Sequence, residues 1–299
     1  MKFIVGVSLG ASVRDHAVTV NLGGEEFRVE RFGTNGDMQR IMALVEEYDG
    51  KADAFGLGGI DLYISTVDRR YEFRDARKIV QVAKKTPIVD GSGLKHILER
   101  RTIEYLAANT DIFKGRRKVL MTCAVDRLGM AQALFAAGCD VTIGDFLYVL
   151  NWPLPLKSLK SLARLARIVA PIMVKLPFSM VYPTGERQGQ GKPRQVKYFL
   201  ENEIIAGDFH FMRQYMPPEL PGKIVITNTV TREDILYLQE RGVKTLITTT
   251  PDMDGRSFGT NIMEAILIAL AGGSGELSEE QYSRMLDELA ITPRIIELQ

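Results

Sequence analysis

A short apolar run at KFIVGVS (residues 2–8) and alternating apolar and polar residues along HAVTVNL and EEFRVER (residues 16–22 and 25–31) predict three strands. Asn21, Leu22, Gly23 and Gly24 supply a hairpin turn between the second and third. From Asp37 the period lengthens. Met38, Ile41, Met42 and Val45 fall on one helical face, and Asp37 is a suitable N-cap. Next come a strand at ADAFGLGG, a helix over residues 74–84, a strand at TPIVDGS and a helix from about Leu94. Strands alternating with helices predict parallel pairing through crossover connections.

The second half repeats the alternation. Strands are expected at KVLMTCA, CDVTIGD, PIMVKLPF, EIIAGD, KIVITNT and TLITTTP, with helices between them. Thr231 and Thr260 are candidate N-caps, and Ser278 with Gln281 forms a capping box before a last helix. About six strands in this order predict a doubly wound, Rossmann-like parallel sheet, preceded by a smaller mixed α/β domain. The break is placed in the charged connector of residues 109–118. That gives an α/β substrate domain over residues 1–113 and a Rossmann-like nucleotide-binding domain over residues 114–299.

The stretch from Lys118 to Asp145, KVLMTCAVDRLGMAQALFAAGCDVTIGD, has the layout of a dinucleotide-binding unit with most of its glycines gone. With Gly129 as the third glycine of G-x-G-x-x-G, Ala124 takes the first position and Asp126 the second. Ala124 is small enough for the turn, but Asp126 puts a carboxylate where a pyrophosphate would approach. Arg127 could offset it by pairing with phosphate or with Asp126 itself. Asp145 ends the next strand where an acid would hold a ribose hydroxyl pair, and Thr249 ends a later strand on the same side. These six positions predict NAD or NADP as cofactor, with the acid leaning towards NAD.

In open α/β sheets, ligands gather at the carboxyl ends of the strands. In the first domain those ends carry Ser8, Gly59 with Asp61, and Asp90 with Ser92; Lys95 and His96 follow in the first helical turn. Lys95 could exchange a proton with a carbonyl or hydroxyl, with Asp61 or Asp90 setting its charge. His210 follows another strand end as a further acid/base candidate. Arg256 and Asn261 lie in the loop and helix start of TTTPDMDGRSFGTN, where arginine could grip a carboxylate. Ser8, Gly59, Ser92, Arg256 and Asn261 are therefore the substrate-binding candidates. The polar stretch over residues 182–195 also follows an expected strand. LKSLKSLARLARIVA places Lys157, Lys160, Arg164 and Arg167 on one helical face, which suits either a solvated surface or an anionic partner.

Composition narrows the function classes. The chain has 299 residues, 45% hydrophobic and 25% charged, with a formal net charge of +1. That balance offers no global field to draw nucleic acid. Two cysteines, Cys123 and Cys139, cannot build a disulfide framework, and no metal-ligand spacing occurs among cysteines and histidines. The short apolar start is broken by glycine and does not read as a secretory signal, and no apolar run is long enough to span a bilayer. A cytoplasmic protein with a small-molecule substrate is expected, as a monomer or a homo-oligomer.

VSLGASVRDH, GLGGIDLY, TPIVDGSGLKHILERR, YPTGERQ, IAGDFHFMRQYMP and TTTPDMDGRSFGTNIMEA together resemble bacterial proteins described as quinate or shikimate 5-dehydrogenase-like. The resemblance runs from Val7 to Ala265. It implies an NAD(P)-linked oxidation of an alicyclic hydroxyl, with a substrate domain preceding a Rossmann domain. It also implies a catalytic lysine–aspartate pair, for which Lys95 stands with Asp61 or Asp90. Ser8 and Ser12 lie near the start as that family's serine pair does, though in different surroundings, and the turn at Ala124 and Asp126 departs from its glycine-rich pattern. The leading expectation is thus an NAD(P)-dependent oxidoreductase acting on a small polar hydroxy compound. The rival is a non-oxidative nucleotide- or metabolite-binding protein that docks an anionic partner through its basic helix. An enzyme of another class on the same fold is a third reading.

Overall fold

The three segments expected at the N-terminus form strands β1 (Lys2–Ser8), β2 (His16–Leu22) and β3 (Glu25–Gly33). β2 and β3 pair antiparallel as a hairpin, and β3 then lies parallel to β1. The computed structural model describes residues 1–65, 69–149, 151–177, 191–251, 258–273 and 275–299. Asp37 caps helix α1 (Met38–Tyr48), accepting from the amides of Gln39 at 2.8 Å and Arg40 at 3.0 Å. Ile41, Leu44 and Val45 are the buried face of that helix. Strand β4 (Ala54–Gly58) follows, then a small antiparallel pair β5 (Tyr63–Ser65) and β6 (Arg70–Glu72). Helix α2 (Arg74–Val80), strand β7 (Ile88–Val89) and helix α3 (Ser92–Asn109) complete this part of the chain. The first sheet has the order β2-β3-β1-β4-β7, parallel except at β2.

The second sheet begins with β8 (Lys118–Met121), α4 (Leu128–Ala136) and β9 (Asp140–Ile143), followed by a π-helical turn over Asp145–Val149. Helix α5 (Leu159–Met173) leads on to α6 (Val196–Glu201), β10 (Ile204–Ala206), α7 (Phe209–Tyr215), β11 (Ile224–Thr227), α8 (Arg232–Glu240) and β12 (Thr245–Thr248). Helices α9 (Thr260–Leu270) and α10 (Glu279–Glu288) precede a final strand β13 (Arg294–Glu297). The strand order is β13-β12-β11-β10-β8-β9, parallel except for β13. The protein is thus a mixed α/β fold of two domains, each built on a largely parallel sheet.

PIMVKLPF, expected as a strand, forms none over its described residues, 171–177. Residues 171–173 end α5, and Val174 continues the turn with its amide on the Ala170 carbonyl. Ala166, Ala170 and Val174 recur every four residues and are buried, the last two in the core of the first domain. Burial at a helical period therefore overrides the β-propensity of the run. β13, which carries no strong alternation, supplies the sixth strand instead. Gly259, not Thr260, is the N-cap of α9. Thr231 and Ser278 do cap their helices, each in a complete capping box.

α9 packs on the first sheet, with Ile262, Met263, Ile266 and Leu267 buried beside Ile4, Val29 and Ala54. Two glycines allow that approach. A Cβ on Gly56 would stand 2.8 Å from the Asn261 carbonyl oxygen. A Cβ on Gly91, where φ is +93°, would stand 2.7 Å from the Asn261 amide nitrogen. The start of α9 is thereby pressed onto β4 and the turn after β7.

Candidate functional site

Three ends of the first sheet converge beside the turn that follows β8. At the end of β1, Ser8 is buried and its hydroxyl accepts from the Gly10 amide at 3.0 Å. After β4, Gly59 turns with φ +67° and leads to Asp61. After β7, Asp90 is tied down by its own loop. Its carboxylate accepts from the Leu62 amide at 2.5 Å, the Ser92 amide at 2.9 Å and the Ser92 hydroxyl at 2.7 Å. Asp90 thus braces the start of α3, where an anion also favours the helix dipole. Burial is the largest influence on its pKa and holds it above the ordinary carboxylate range.

Lys95, one turn into α3, is 9% exposed. Its ammonium lies 2.6 Å from Asp126 and 3.8 Å from Asp61. Burial works against the charge, but Asp126 and then Asp61 outweigh it, so Lys95 stays protonated well above neutral pH. Of the two partners considered from the sequence, Asp61 lies beside the ammonium and Asp90 serves the backbone. Asp126, read from the sequence as an obstacle to phosphate, makes the shorter contact.

The turn after β8 is filled by protein. The amides of Ala124 and Val125 donate to the Asp145 carboxylate at 2.9 and 3.0 Å. Asp145 is buried, which pushes its pKa up to about 6 even with these two donors. Arg127 is 4% exposed and ion-paired to Glu99 of α3 and, at 2.9 Å, to Asp208 after β10. Asn228 after β11 adds a 2.9 Å bond to the same Asp208 oxygen. The crevice between β8 and β10, where the crossover connections diverge and a nucleotide phosphate would sit in a doubly wound sheet, is spanned by this chain of bonds. Gly129 packs on α3; a Cβ there would stand 2.5 Å from the His96 carbonyl oxygen. Close helix–helix contact therefore accounts for that glycine.

Other candidates are spread out. His210 is exposed at the start of α7. Thr249 is buried, donates its amide to Thr227 at 2.9 Å, and lines a cavity of about 320 Å³ with Leu98, Thr102, Tyr105 and Ile291. Asn261 is half-buried near Ser8 and Gly58. Arg256 lies outside the described residues, as do residues 182–190 of the polar stretch. Ser92 is buried against Asp90. Glu99, Asp208 and Asn228 belong to the buried network and were not singled out from the sequence. Glu99 follows Lys95 by four residues, so its place on the same helix face was available to inspection. Asp208 and Asn228 are adjacent only because β10 and β11 are. His96 is largely buried with Nδ1 unbonded among the described residues, and burial followed by the charge of Lys95 pushes its pKa down to about 4. Among the described residues no group of three His, Cys, Asp or Glu side chains is placed to hold a metal ion.

A family model described as a domain of unknown function (DUF8754) matches residues 93–298. The chain belongs to this family. A second model, also described as a domain of unknown function (DUF8753), matches residues 3–90. No curated protein matches the sequence. Among solved structures, a Mycobacterium smegmatis protein in complex with β-D-fucofuranose is 9% identical, with 99% of each chain covered and a TM-score of 0.36. A galactofuranose binding protein is 12% identical over 96% of this chain and 98% of that one, TM-score 0.38. A malic enzyme from Entamoeba histolytica is 9% identical over 95% of this chain and 61% of that one, TM-score 0.38. Such loose likenesses carry no argument about a ligand.

The expected kinship with quinate and shikimate dehydrogenases is corrected by these findings. The family models that match, over residues 3–90 and 93–298, are both domains of unknown function. The expected NAD(P)-dependent oxidoreductase falls with it, for a physical reason in the site itself. The amides that should meet a diphosphate are satisfied by Asp145, and the arginine that should pair with it is satisfied by Glu99 and Asp208.

Proposed function

We propose that this chain is a non-oxidative binding protein for a small, hydroxylated or carboxylated metabolite, held where the ends of the first sheet meet the turn after β8. The observation that carries the reading is Lys95, a nearly buried ammonium between two carboxylates contributed by different domains. Burying such a group costs several kcal/mol per ion, and packed apolar residues would stabilise the junction as well or better. Perturbed charged groups that converge at strand ends are therefore site candidates before they are structural ones.

The chemistry suits hydroxyl groups. Asp126 keeps 43% of its side chain exposed, so one end of the ion pair opens to solvent. A ligand hydroxyl entering there would accept from Lys95 and donate to Asp126, and a carboxylate would pair with Lys95 directly. Ser8 and Asn261 are the further polar groups on the first-sheet side, and the Arg127 network behind them is a rigid support.

The test is a thermal-unfolding screen of the intact chain against neutral sugars, cyclitols and hydroxy acids. A ligand at about 100 times its Kd stabilises by about 2.7 kcal/mol, a rise of several degrees. The rise should vanish in Lys95→Met and shrink in Asp126→Asn, with both variants still folded by circular dichroism. A ligand that stabilises wild type and Lys95→Met equally would sink the proposal.

A further inference from the structure

Between Asp145 and Glu186 the sequence holds no acidic residue, although Asp and Glu make up 37 of the 299 positions. The same 40 residues hold Lys157, Lys160, Arg164, Arg167 and Lys175. Positive charge is concentrated here in a chain whose net charge is only +1.

Large apolar side chains stand in water in the same region. Val149, Trp152, Leu154, Ile168 and Ile172 are between 45% and 68% exposed. Trp152 stacks on Phe146 with ring centroids 6.0 Å apart, which fixes it at the surface as a packed side chain. In α5, Leu162, Leu165, Ala166 and Ala170 are buried. Lys160, Arg164, Ile168 and Ile172, four residues apart in succession, form an exposed stripe that is cationic at one end and apolar at the other. An ordinary solvated helix face mixes acids and bases that pair at this spacing. This one has no acid in α5 to pair with, and it adds isoleucine.

We propose that α5 and the segment before it dock on an anionic lipid bilayer, with Lys160, Arg164 and Lys175 at the headgroups and Trp152, Leu154, Ile168 and Ile172 at the acyl boundary. Basic residues beside exposed tryptophan and aliphatic side chains are the combination that lies in a membrane interface. No helix among the described residues is long and apolar enough to cross a membrane, so the contact is peripheral. Each basic side chain brought to an anionic leaflet multiplies partitioning about fivefold. The proposal does not depend on what the Lys95 site binds.

Trp152 is the chain's single tryptophan, so its emission reports on this surface alone. The intact protein is sedimented with vesicles of phosphatidylcholine, or of equal parts phosphatidylcholine and phosphatidylglycerol, while tryptophan emission is recorded. Binding is expected only to the anionic vesicles, weakening as salt is raised, with the emission moving to shorter wavelength. Lys160→Glu with Arg164→Glu should weaken binding at least about twentyfold. Should that pair fail to fold, Ile168→Ser with Ile172→Ser and the wild-type emission still decide the matter. No binding to anionic vesicles at low salt would overturn the proposal. So would binding without a change in emission, or equal retention by polyglutamate, which would assign the surface to an acidic protein.

Discussion

Arg127 separates a structural ion network from a phosphate site, because the two roles predict opposite results. Replacing it as Arg127→Met keeps the length and apolar stem and removes the guanidinium. Glu99, 1% exposed, then loses its ion-pair partner, and Asp208 keeps its bonds from Asn228 and the Phe211 amide. Breaking a buried pair by removing one member costs about 3–5 kcal/mol, since the remaining charge stays desolvated. A domain protein holding about 5–15 kcal/mol survives that loss at low temperature, so the measurement is feasible. Urea unfolding followed by circular dichroism should show a lower midpoint at unchanged slope. Adding Glu99→Gln should return part of the loss, because the orphaned charge is gone. A loss below about 1 kcal/mol, the range of an exposed pair, would refute the network and reopen the turn as a ligand site.

Other outcomes follow from the packing and the buried acids. Gly91→Ala should destabilise by about 2–5 kcal/mol, read as a lower Tm, since it adds a left-handed strain to a clash with the Asn261 backbone. An unchanged Tm would mean that α9 does not press on β7. Glu264 of α9 is buried, accepts from the Tyr282 hydroxyl at 2.6 Å, and is pushed up to about 8 by burial and then by Asp90. Its folded pKa lies above the unfolded value, so its contribution is complete below about pH 4.5 and is lost as pH rises through about 8, on the order of 1 kcal/mol per unit. Glu264→Gln should remove that slope, and parallel pH profiles for the two proteins would contradict it. Thr231→Ala should cost about 1 kcal/mol, because it removes the hydroxyl that accepts from the Asp234 amide at α8 and leaves only the backbone half of the capping box; chemical denaturation would show no change if the box is idle.

Periodicity alone located most elements, since the signals that start and stop them are local. Asp37, Thr231 and Ser278 cap helices as their spacing foretold. The run over residues 171–178 failed because a short apolar segment reads equally as strand or helix, and burial against the first domain decided it. Lys95 and Asp61 were legible as neighbours at adjacent strand ends. Asp126 as the closer partner was not, because pairing it with Lys95 needs the two domains in place.

By itself the amino-acid order determined the alternation of strands and helices, the mixed α/β class, and an acid-free cationic segment around α5, all properties set by neighbours within a few turns. Tertiary structure alone decided that α9 and α10 pack on the first sheet although they follow strands of the second. It also decided that Asp145 and Arg127 turn inward to bond with protein. Both depend on which faces meet and which charges lose their water, and desolvation is a property of the assembled interior that no stretch of sequence carries.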